Sequence, residues 1–131
     1  MIGNIVPIKG GGKIEKIFDV DWENGDSNPS ISSHLTAMKT YDFLMFEWYM
    51  IKPNDTGYVQ VSPFGTIVPK EVYDNTTDVF YVQLINADDI ASLVSKIAVN
   101  VGHGNGIIEI ELPQGSSFDR IIHINCYGIN A

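Results

Sequence analysis

The stretch DVDWENGD, residues 19–26, gathers four carboxylates: Asp19, Asp21, Glu23 and Asp26. Oxygen ligands at alternate positions are what a calcium loop uses. Such a loop also needs a glycine at its sixth place and a glutamate at its twelfth. Counted from Asp19, those places hold Asn24 and Ser30, so the stretch reads as a solvated acidic loop after a strand. His34, His103 and His123 have no zinc-type spacing with one another or with Cys126. His123 and Cys126 are three apart, which puts them on opposite faces of a strand. No serine lies in a GxSxG elbow. Asp42 and Glu47 fall on opposite faces of a strand, which does not suit a glycosidase pair. GHGNG (102–106) lacks the helix and lysine of a phosphate cradle and reads as a hairpin turn. Neither catalysis nor a metal or cofactor is expected.

Binding is the better expectation. Sugars present apolar ring faces and many hydroxyls, so their sites pair an aromatic platform with Asn, Asp or Gln. Trp22 beside Asn24 and Asp26 has that make-up. So do Tyr73, Asp74 and Asn75, and separately His103 and Asn105. The competing reading of Trp22 is core packing at a strand end, and Tyr127 is at least as well explained as structural.

The elements that must carry these residues read as β. KIEKIFDVDW (13–22) alternates in part, with Ile14, Ile17, Val20 and Trp22 as inward candidates. ENGDSNPSISS (23–33) reads as an exposed loop, because Asn24-Gly25 tolerates positive φ and Pro29 fixes its own. YDFLMFEWYMI (41–51) is a long strand by its aromatic content and the Lys52-Pro53-Asn54-Asp55 breaker. Shorter strands follow at 57–61, 65–69 and 78–85, with a turn at Asn75-Thr76-Thr77. Residues 86–97 read as a short helical turn feeding a strand through Ile97, Val99 and Val101. GIIEIEL (106–112) alternates cleanly, PQGSS (113–117) is a loop, and RIIHINCYGI (120–129) is a closing strand. Seven or eight strands with a turn about every ten residues predict an all-β sandwich or jelly roll.

The strand at 41–51 is apolar on both sides. Leu44, Phe46, Trp48 and Met50 share one face; Phe43, Met45, Tyr49 and Ile51 share the other. A sandwich covers one face of each strand. The second would be a large apolar patch, so a cover is expected: a loop, the N-terminal arm, or another copy of the chain. The set Phe43, Met45, Tyr49 and Ile51 is the expected oligomer interface.

Length and composition fit one domain. The chain has 131 residues, 44% of them hydrophobic. Residues 1–12 read as an N-terminal arm with a glycine hinge at Gly10–Gly12, and 13–131 as a single β-sandwich domain. Sixteen acidic residues face eight basic ones, a net charge of -8. With the lysines and the single arginine scattered, a nucleic acid or an anionic membrane surface would be repelled. No apolar run is long enough to span a bilayer, and MIGNIVPIKGGG has no signal-peptide pattern. Synthesis and retention in a cytoplasm, or assembly there into something larger, is expected. Cys126 has no partner for an internal disulfide and reads as a small core residue.

In order and approximate distance, VDWENGDSNPSISS (20–33), YDFLMFEWYMI (41–51), GTIVP (65–69) and HINCYGINA (123–131) resemble a family. It is the small β-structured head domain of tailed-bacteriophage tail-fibre, baseplate and capsid accessory proteins. The resemblance runs from about residue 18 to the end, and its best motif is the terminal one. There the family carries Lys or Gly after the isoleucine where this chain has Asn130. No shaft-forming region is present upstream. The resemblance implies a virion protein, a homotrimer, contacts with other virion proteins and attachment to a host surface glycan. The alternatives are a purely structural capsid decoration or head fibre, and a non-viral carbohydrate-binding jelly roll.

Overall fold

The computed structural model describes residues 13–51, 58–59, 66–73, 81–84 and 94–131. Within them the strands are β1 (Ile14–Glu23), β2 (Phe43–Ile51), β3 (Tyr58–Val59), β4 (Thr66–Pro69), β5 (Tyr81–Gln83), β6 (Lys96–Asn100), β7 (Ile107–Glu111) and β8 (Ile121–Ile129). Two single-turn helices, α1 (Leu35–Met38) and α2 (Lys70–Tyr73), join them. The expected arm and hinge at 1–12, the turn at 75–77 and most of the helical turn at 86–97 lie outside the described residues.

All pairings are antiparallel, and they make two sheets. In the first, β8 lies between β1 and β2, and the far side of β2 pairs β4 at one end and β3 at the other. The second sheet is β5-β6-β7. Their inner faces share one core. The first sheet contributes Phe18, Trp22, Leu44, Phe46, Trp48, Met50, Ile122, Ile124 and Cys126; the second contributes Val82, Ile97, Val99, Ile108 and Ile110. The fold is all-β with sandwich-like packing.

The period-2 pattern decides the inner face of β2, where Leu44, Phe46, Trp48 and Met50 are at most 3% exposed. Burying each of these side chains is worth about 1.5–3 kcal/mol. Strand β1 departs from strict alternation. A bulge between Lys16 and Phe18 shifts its register against β8. Past the bulge Phe18 and Trp22 are the buried pair and Val20 is half-buried, while Ile14, before it, falls opposite Ile129 on the other face, so Phe18 and not Ile14 is inward.

The 23–33 segment is more than an exposed loop. Its second half straps the free edge of β7. The Asn28 side-chain oxygen accepts the Ile110 amide, the Pro29 carbonyl accepts the Ile108 amide, and the Ile31 amide donates to the Gly106 carbonyl. Ile31 is fully buried beneath this strap. Helix α1 was not legible in advance, because one turn is too short to show a period. It is held by packing, with Met38 buried and His34 stacked on Phe18 at 5.0 Å.

The ending CYGI acquires a physical reason. Gly128 faces the Tyr41 ring, and a Cβ there would overlap it. Tyr41 crosses the glycine to donate from its hydroxyl to Glu15 Oε1 at 3.0 Å. Gly128→Ala should therefore cost about 1–3 kcal/mol by overpacking. In urea unfolding the double variant Tyr41→Ala/Gly128→Ala should be less destabilised than the sum of the single changes, because the clash is then absent.

Candidate functional site

Among the described residues, three regions gather polar and aromatic side chains outside the core. The first is the outer face of the larger sheet. Alternation aims Lys16, Asp19 and Asp21 from β1, His123, Asn125 and Tyr127 from β8, and Phe43, Met45, Glu47, Tyr49 and Ile51 from β2 to this side. Glu47 is the one carboxylate in an apolar strand, and three residues of β8 are built around it. Asn125 donates through Nδ2 to Glu47 Oε1 at 3.0 Å, and the Tyr127 hydroxyl donates to the same oxygen at 3.2 Å. The Asn125 carbonyl oxygen lies 3.0 Å from His123 Nε2, and Asp21 Oδ1 lies 2.5 Å from His123 Nδ1. Tyr49 stacks on the His123 ring at 5.0 Å. The chain Asp21–His123–Asn125–Glu47–Tyr127 thus crosses three strands. Asn125 ends only 4% exposed although it points away from the core. Burial, with the Glu47 carboxylate second, pushes the Tyr127 phenol above its ordinary range. Beside Asn125's neighbours, Lys16 pairs Asp19 at 2.7 Å and holds that carboxyl below its ordinary range.

All four expected interface residues lie on this face. Phe43 is 39% exposed, and Met45, Tyr49 and Ile51 are half-buried. Ile67 of β4, opposite Met45 and 60% exposed, extends the apolar side of the patch. The network itself was not expected, because its bonded partners stand as far as 102 positions apart in the chain. The only sequence signal was a glutamate out of place in an aromatic strand.

The second region is the outer face of the smaller sheet. Tyr81 is 51% exposed, with Lys96 Nζ 4.9 Å from its ring centroid. Lys96 also pairs Glu109 at 3.0 Å and Glu111 at 3.7 Å. The hydrogen bond from Lys96 holds the Glu109 carboxyl below its ordinary range.

The third region is the end of the molecule carrying Trp22. That ring is 5% exposed and packs 6.4 Å from Phe118, so it is a core residue and not an open platform. Its Nε1 donates to the Asp26 carbonyl at 3.1 Å. The Asp26 carboxylate accepts the Glu23 amide, and Gly25 at φ 100° completes the turn that leaves Asn24 exposed. A small hollow of about 140 Å³ lies against Asp21, Trp22, Glu23, Asp26 and Ile121. A larger one, about 500 Å³, lies within the 113–120 loop, whose Phe118 is the residue that meets Trp22. In sequence, 113–117 reads only as a loop.

The other expected contacts do not join this end. His103 and Asn105 fall in the turn between β6 and β7, at the opposite end of the strap from Trp22, Asn24 and Asp26. Asn105 is exposed there, its amide donating to the Gly102 carbonyl. Tyr73 closes α2, and Asp74 and Asn75 lie outside the described residues. Among the described residues, no three His, Cys, Asp or Glu side chains are grouped so that they could hold a metal ion. Burial pushes the Cys126 thiol far up, so it is poorly suited to act as a nucleophile.

No family model, curated protein or solved structure matches this chain.

Two outcomes follow from these surfaces. Asn125→Ala removes the link between Glu47 and His123 and should lower stability by about 1–3 kcal/mol in urea unfolding. Tyr127→Phe, which leaves Glu47 its amide donor, should cost less. For Glu109, the folded pKa is the lower one, so its contribution is present above the unfolded value and is lost as pH falls through the folded one. Lys96→Met should therefore flatten the acid limb of stability between about pH 5 and pH 3.

Proposed function

We propose that this protein is a virion structural protein of the fibre-head type, oligomeric and involved in attachment to a host surface glycan. The favoured assembly is a homotrimer joined to other virion proteins after synthesis in the host cytoplasm. One observation carries the oligomeric part: the outer face of the larger sheet, where Phe43 and Ile67 stand 39% and 60% exposed beside half-buried Met45, Tyr49 and Ile51. An apolar patch of this kind, rimmed by Lys16, Asp19 and Asp21, has the make-up of a protein interface. Burying it against sister subunits would cover the second side of β2. The polar network within it would fix the register of the contact through its directional hydrogen bonds. The virion assignment rests on the sequence resemblance and is part of the same proposal.

A jelly roll is the finer description that belongs to this reading. Its support is the return of β8 to lie between β1 and β2. The attachment role is supported by the hollow of the 113–120 loop, whose Phe118 meets Trp22 and whose lining carries polar side chains.

The deciding measurement is the native mass in solution. Sedimentation should give a multiple of the 14.5 kDa chain, with three copies expected. Ile67→Asp and Phe43→Asp, both at exposed positions, should return the protein to the single-chain mass with its circular dichroism retained. A wild-type protein that sediments as one chain at every concentration would overturn the oligomeric reading.

A further inference from the structure

The hollow within the 113–120 loop contains the only arginine in the chain. Arg120 Nε is buried and has no hydrogen-bond partner among the described residues. No carboxylate pairs with the guanidinium among them either, although the chain has sixteen acidic residues. Lys13, Lys16 and Lys96 each have such a partner. A buried donor without an acceptor costs free energy, which an incoming acceptor would recover.

The rest of the lining narrows the acceptor. Gln114, Ser116 and Ser117 offer an amide and two hydroxyls. Ser116 Oγ already accepts the Phe118 amide at 3.2 Å, which leaves its hydrogen free to donate. Phe118 is pinned to the core against Trp22, so the loop is anchored and part of its wall is apolar. Asp119 also lines the hollow. With a net charge of -8, the Asp119 carboxylate next to the arginine disfavours a dianion such as a phosphate group. It suits a monoanion that also carries hydroxyls, since Asp119 can accept from them. About 500 Å³ falls within the range of small-ligand sites and leaves room for one or two sugar rings.

We propose that this hollow binds an acidic saccharide of the uronic acid class. Arg120 takes the ring carboxylate through its planar fork, Gln114, Ser116, Ser117 and Asp119 meet the hydroxyls, and Phe118 meets the apolar ring edge. This deepens the attachment half of the proposed function and rests on it.

The test uses the whole chain and a matched pair of probes, D-glucuronate and D-glucose, followed by amide chemical shifts. Glucuronate should shift the amides of 114–120 and bind at least about tenfold more tightly than glucose, the size expected of one charge-assisted contact. Arg120→Leu should abolish that preference. Arg120→Lys, which keeps the charge and loses the fork, should reduce it. Should Arg120→Leu fail to fold, Gln114→Ala and Ser117→Ala, at the exposed rim, should each weaken glucuronate binding with the fold intact. Equal binding of both sugars, or glucuronate shifts elsewhere in the chain, would overturn the acidic-sugar site and leave the attachment reading standing. A glycan array of neutral and acidic oligosaccharides on which the protein binds nothing would remove both.

Discussion

The larger sheet exists because β8 is paired along its whole length on both sides. Nine residues of β8 meet β1 through one edge and β2 through the other, so β8 is the strand through which β1 and β2 are joined in the hydrogen-bond ladder. Its inner residues Ile122, Ile124 and Cys126 are fully buried, which ties the hydrogen-bond ladder to the core. A slip of one residue would turn these inward side chains out and bring His123, Asn125 and Tyr127 into the core. Burial therefore fixes the register, and the register in turn sets Asn125 opposite Glu47 and His123 opposite Asp21.

Most of the strands could be read from the chain because alternation in a half-buried sheet is a local signal. Ile108 and Ile110 against Glu109 and Glu111 show it in a few residues. What escaped reading depends on distant partners. Asn28 and Pro29 look like turn formers and are that, yet their oxygens also complete the edge of a strand some eighty positions away. Ile31 is a single apolar residue in a polar run, too little to mark a buried segment. That Phe43, Met45, Tyr49 and Ile51 share the outer face of β2 was legible because the four fall on one period-2 face. The candidate ligand site was not, because the glycine and serines of 113–117 announce a turn whatever they surround. The lone arginine two residues beyond Phe118 was the one hint. Trp22 shows the reverse error: its aromatic and polar neighbours resemble a platform in sequence, while its own packing removes it from solvent.

The two outer faces solve exposure differently. The smaller sheet carries an ordinary ionic surface, with Lys96 shared between two glutamates and the Tyr81 ring. The larger one mixes apolar side chains with a hydrogen-bonded chain of side chains that is already largely satisfied. Covering that face would desolvate groups whose partners are in place, which lowers the usual cost of burying polar atoms. Glu47 breaks the local pattern of its strand, and this is the sort of exception that proteins keep where a surface has a task.

The placement of β8 also bears on how quickly the chain can reach this state. Contacts such as Asp21 with His123 close a span of 102 positions. Pairings that distant are penalised by chain entropy before they return any energy, so folding should be slow for a protein of this size. Until that closure, β2 has no neighbour on its β8 side, and its aromatic edge is open to the wrong strand. A cell making many copies at once would face a race between correct closure and clumping, with chaperones deciding the yield.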